Sequence, residues 1–168
     1  MIGIIILFIS TYLDGFLTLF LPYMKNSLTL FTPMFTLVSI FIVFPLYRKK
    51  EKQYLITVGL LGFMYDLLYT NLLFYDAIIY FLLGLITIKV YKRFDVCHIK
   101  VSLYVIILLI IYEFVFSVFI ALFNLVPITI YDIYYKIIHS LLLNVIYAEF
   151  LYTVIKKIPN KYKRIKIN

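Results

Sequence analysis

Three carboxylates interrupt otherwise apolar stretches of this chain: Asp14, Asp66 and Glu113. A charge near the centre of a bilayer costs at least about 2.5 kcal/mol, so such a group turns toward protein, a counter-charge or a proton path. Asp66 ends the stretch Gly59-Leu60-Leu61-Gly62-Phe63-Met64-Tyr65-Asp66. Helical spacing stacks Gly59, Gly62 and Asp66 on one face, where two glycines leave a groove for a second helix. Gly84, in the body of the next apolar run, belongs to the same helix-packing groove. Ser10, Thr11, Asp14 and Thr18 form a second polar stripe, and Ser117 lies one turn beyond Glu113 on its face.

The elements that must position these residues are apolar and long. The chain has 168 residues, 65% of them hydrophobic, with a mean hydropathy of +1.05 and 14% charged. A soluble domain is nearer half apolar and a quarter charged, which points to an integral membrane protein with a single domain. Ile2 to about Pro22 has neither a basic leader nor a small-residue cleavage site and reads as a retained helix. Further spans follow at Leu28–Tyr47, bounded by Pro33 and Pro45, at Tyr54 to about Tyr69, at Asn71–Tyr91, at Val101–Phe123 and at Ile133–Ile155. The expected fold is all-α: six transmembrane helices over residues 1–155, then a basic cytoplasmic tail over 156–168.

The charge pattern gives an orientation. Only Lys25 and Lys136 of the 16 lysines and arginines lie outside three clusters, at 48–52, 89–100 and 156–166. Six spans with both termini inside place all three clusters in the cytoplasm, as the positive-inside rule requires. The net charge of +8 is thereby explained by topology and contact with membrane lipids, and nucleic-acid binding is not expected. Tyr and Phe, at 20% of residues and with no Trp, supply the interfacial belts.

With this topology Asp14, Asp66 and Glu113 each lie about 12 residues, or about 18 Å, beyond the cytoplasmic start of their helix, slightly past mid-membrane. Three carboxylates at one level call for cations between them. His139 and Lys136 of the last span fall within reach, so the expectation is a buried polar cluster of Asp14, Asp66, Glu113, His139 and Lys136. Such a cluster serves either as a transport or proton path or as a clamp that fixes helix register. Glu149, near the inner end with Thr153 and Lys156 on its face, is expected to pair locally. No segment supplies a nucleophile with its base, a phosphate-cradling loop or histidines at metal spacing, and Cys97 is the one cysteine. Catalysis, a metal and a cofactor are therefore not expected.

A small six-span chain whose third helix carries Gly59, Gly62, Phe63 and Asp66 resembles the MreD family, the integral-membrane rod shape-determining proteins of bacteria. Leu67, Tyr69, Gly84 and Pro33 are similar in placement, while the hairpin glycine frequent in that family is missing from residues 69–76. The resemblance implies a non-enzymatic scaffold in the bacterial cytoplasmic membrane. It would bind MreC and connect MreB filaments to the peptidoglycan synthases, RodA and a class B penicillin-binding protein. The family is itself similar to the substrate-binding membrane subunits of energy-coupling-factor vitamin transporters, which supplies a rival reading. Those subunits dock their partner through a small-x-x-x-small face on the first helix, whereas Ile4, Ile5, Ile6, Leu7, Phe8 and Ile9 here are bulky.

Overall fold

A computed structural model describes residues 2–20, 33–47, 50–70, 74–94, 97–123 and 130–158. These form α1 (Ile2–Phe20), α2 (Phe35–Val43), α3 (Glu51–Tyr65), α4 (Tyr75–Arg93), α5 (His98–Leu122) and α6 (Ile130–Lys157), with no strand among the described residues. The fold class is all-α, as the apolar runs predict.

Helices consecutive in the chain pack as antiparallel hairpins: α1 with α2, α3 with α4, α5 with α6. The ends confirm the pairing. Lys92 at the end of α4 meets Glu51 at the start of α3, Nζ to Oε2 at 2.8 Å. His98 at the start of α5 meets Glu149 near the end of α6 at 2.9 Å. The basic residues at the starts of α3 and α5 and at the ends of α4 and α6 thus gather at one end of the bundle.

α2 is the centre. It touches α1, α4, α5 and α6, and every residue from Phe35 to Pro45 is buried. Its proline brackets are those expected: Pro33 precedes the first turn, and Pro45 falls in a 3-10 turn, Phe44–Leu46, where a missing N–H is tolerated. The expected span of Leu28–Tyr47 is nevertheless corrected. α2 has nine residues and its 3-10 turn three more, so helix plus turn rises only about 18–20 Å. Residues 21–32, which held the first part of that span, lie outside the described residues, as does the tail from residue 159.

Aromatic rings lock the basic half of α2. Phe41 and Phe44 lie 5.2 and 5.3 Å from the ring of Tyr91, and Phe44 packs edge-on against Tyr54 at 5.1 Å. Tyr54 also donates its hydroxyl to the Ile40 carbonyl at 2.8 Å, satisfying an acceptor that the end of α2 leaves free.

Away from the basic end the outer faces are largely apolar. Ile5, Phe8, Ile9, Leu60, Leu67, Leu82, Leu103, Phe114, Leu142 and Phe150 are all exposed, while Ser10, Thr11, Asp14, Thr36, Ser39, Asp66, Asp76, Glu113, Ser117, Ser140 and Asn144 are buried. Among the described residues, one stretch, His98–Phe119 in α5, is both long and apolar enough to cross a membrane, and Ile2–Thr18 and Phe35–Leu46 are shorter apolar helices.

Candidate functional site

The buried polar residues gather where helices begin. A helix leaves its first N–H groups without intrahelical partners, and α2 starts at Pro33-Met34, which offers no capping side chain. The acceptors come from other helices. Asp14 of α1 takes the Phe35 N–H on Oδ1 at 2.7 Å and the Thr36 N–H on Oδ2 at 2.8 Å. Asn144 of α6 takes the Met34 N–H on Oδ1 at 2.8 Å and donates its amide to the Ser140 carbonyl at 2.7 Å. Three successive donors are satisfied by two distant helices.

Hydroxyls extend this contact toward the basic end. Ser10, Ser39 and Tyr147, on three different helices, form a triangle with oxygens 2.6, 2.7 and 3.2 Å apart. Thr36 donates to Thr11 at 3.2 Å. The polar stripe of α1 is therefore its seam with α2 and α6.

The start of α4 repeats the device with different parts. Its flanking residue Phe74 also lacks a capping side chain and has a left-handed backbone, φ 68°. Asp66 supplies the acceptors: Oδ1 takes the Asp76 N–H at 2.9 Å and Oδ2 the Ala77 N–H at 3.1 Å. One turn earlier, Gly62 lets the two backbones meet. A Cβ there would stand 2.5 Å from the Asp76 carbonyl oxygen and 2.7 Å from the Ala77 Cα. Gly62 and Asp66 thus act as a pair, the first allowing the approach and the second bonding what approaches. After Asp66 the helix widens into a single π-turn, Asp66–Thr70. Tyr69 of that turn lies across Gly15 of α1 and donates to the Thr11 carbonyl at 3.2 Å.

Asp14, Asp66 and Glu113 are the members of the expected cluster whose side chains are described. Asp14 and Asp66 are both buried, and each bonds backbone amides at a different helix start. Glu113 is buried on α5. Its neighbour Tyr112 donates to Asp76 Oδ1 at 2.8 Å, which sets Glu113 at the level of the first turn of α4. The side chains of Lys136 and His139 lie outside the described residues. Of the expected groove, Gly62 meets backbone and Gly84 lies close to Leu55, with 3.1 Å from its would-be Cβ. Gly59 does not belong to the tight part, since a Cβ there would have ordinary clearance, 3.8 Å from Phe81.

Sequence reasoning passed over Asn144, Asp76 and Tyr112 as parts of the site. One signal pointed to caps from elsewhere: Met34 and Phe74, apolar where Ser, Thr, Asp or Asn usually stands, leave helix starts that need distant acceptors. At the basic end, Glu149 bonds across to α5, accepting from Ser102 and pairing with His98, while Thr153 donates to the Glu149 carbonyl at 2.8 Å.

Among the described residues, no three His, Cys, Asp or Glu side chains are grouped to hold a metal ion. The chemistry on view is the seating of helix starts by buried carboxyl and amide groups. No family model, no curated protein and no solved structure matches the chain.

Proposed function

We propose that this protein is a multi-pass scaffold of the bacterial cytoplasmic membrane, of the MreD kind, that binds MreC and helps couple MreB filaments to peptidoglycan synthesis. The observation that carries the membrane part is the distribution of polarity. Large apolar side chains cover the outer faces of α1 and α3 to α6, and the acids turn inward onto backbone donors. In hydrocarbon no water is available to satisfy a helix start, so the protein must satisfy it internally. A soluble monomer rarely exposes apolar patches of such extent. The basic end fits the cytoplasmic face, where positive charge accumulates.

The scaffold part rests on the residues that carry the resemblance. Gly62 and Asp66 form the seam between α3 and α4, and Gly84 packs on Leu55 of α3. Between the basic end and the capped level there is little mass outside the helices, so a partner is gripped by helix faces and short links.

The rival transporter reading has less support. Among the described residues of α1, Gly3 lies under Tyr47, Ser10 bonds Ser39 and Gly15 lies under Tyr69, so these small residues are occupied within the bundle. Affinity purification from mild detergent tests the proposal. Recovery of an MreC-like protein, with cells rounding on depletion, is the expected result. Co-purification of an ATPase pair with unchanged cell shape would overturn it.

A further inference from the structure

We propose that Asp66 and Asp76 form a buried proton-binding site, one proton held between the two carboxyl groups, whose loss unseats the first turn of α4. The inference does not depend on which partner the protein binds. Asp66 gives both oxygens to N–H groups at the start of α4. Because Oδ1 of Asp66 bonds the backbone of Asp76, the two side chains are held as neighbours, within hydrogen-bonding reach of one another.

Asp76 is fully buried. Its Oδ1 accepts from Tyr112 at 2.8 Å, while its Oδ2 is buried with no partner. A proton on that oxygen supplies the missing interaction, turning it into a donor toward Asp66. The titratable groups that face Asp76 among the described residues are Asp66, Tyr65 from α3, Tyr112 from α5, and Tyr75 and Tyr80 on its own helix; Glu113 of α5 faces Tyr75 beside it. All are acids or phenols, so none offers a positive charge. Two ionised carboxylates in contact, without water to screen them, repel strongly.

The seam has no slack to absorb that repulsion. The Asp76 carbonyl oxygen lies only 2.5 Å from where a Cβ on Gly62 would be. Deprotonation therefore acts on the one joint where α4 rests on α3 by its backbone.

Infrared difference spectroscopy of the protein in lipid bilayers tests this. At neutral pH the wild type is expected to show the carbonyl stretch of a protonated carboxylic acid, lost in Asp76→Asn, which keeps the Tyr112 acceptor and can donate to Asp66. Spectra of wild type and Asp76→Asn that superimpose in this region would overturn the proposal, whether Oδ2 meets a cation or nothing. If Asp76→Asn does not fold, amide exchange in the wild type decides. Raising the pH should speed exchange at Asp76 and Ala77 beyond the base-catalysed rise at Phe35 and Thr36. A parallel rise at all four amides would overturn it equally.

Discussion

The starts of α2 and α4 meet the same physical demand in different ways. At α2 the acceptors arrive from two helices far apart in the chain, Asp14 and Asn144, and the helix they seat is buried on every side. At α4 a single residue of the preceding helix does the work, and the two helices lie backbone to backbone on Gly62. The first joint ties two hairpins together, α1–α2 and α5–α6; the second closes one hairpin on itself. Loss of the first should loosen the whole bundle, and loss of the second should be felt locally.

The largest effect is expected from Gly62→Leu. Overpacking costs about 1–3 kcal/mol where side chains can shift, and here the obstacle is backbone, so a loss of about 3 kcal/mol or more should appear in detergent unfolding. Gly59→Leu, with room toward Phe81, serves as the contrast and should cost far less.

Asp14→Ala comes next. It strands two buried N–H donors at about 1–3 kcal/mol each, and the loss should reach α6 through Asn144. Asp66→Ala strands two donors as well, but Ala77 is only partly buried, so the cost should be lower and confined to the α3–α4 hairpin. Equal cost and equal reach for the two variants, read by cysteine accessibility on α6, would remove the distinction between the joints.

A smaller, opposite effect is expected from Phe74→Gly. The left-handed backbone at Phe74 costs a residue with a Cβ about 1–2 kcal/mol, which glycine avoids. Loss of the ring contact with Phe63, at 5.4 Å, offsets part of the gain, because Phe74 is largely exposed. A net stabilisation below about 1 kcal/mol should show as slower hairpin proteolysis. Lys92→Ala, removing a solvated ion pair at the basic end, should change stability by less than about 1 kcal/mol.

The sequence made the joints half legible. Helical periodicity places Gly62 and Asp66 one turn apart, and an acid in an apolar run must face inward; both follow from local spacing. Pro33 and Pro45 mark the limits of α2 because proline acts on its own backbone. What Asp66 meets is a different kind of fact. Its partners are the amides of Asp76 and Ala77, presented by a hairpin whose left-handed turn falls on Phe74, a residue that gives no hint of it. Asn144 likewise reaches Met34 across 110 positions, a contact that depends on how hairpins assemble. The 3.6-residue period also overextended the groove. Gly59 and Gly62 lie three residues apart, about 60° from alignment, enough for one to meet backbone and the other to have clearance.

Site-resolved amide exchange in lipid bilayers tests the central claim most directly, comparing wild type with Asp14→Ala. The account predicts slow exchange at Phe35, Thr36, Asp76 and Ala77 in the wild type, and in the variant the largest rise at Phe35 and Thr36, with a smaller rise at Asp76 and Ala77. Rapid exchange at Phe35 and Thr36 in the wild type, or protection there that survives loss of the carboxylate, would contradict it.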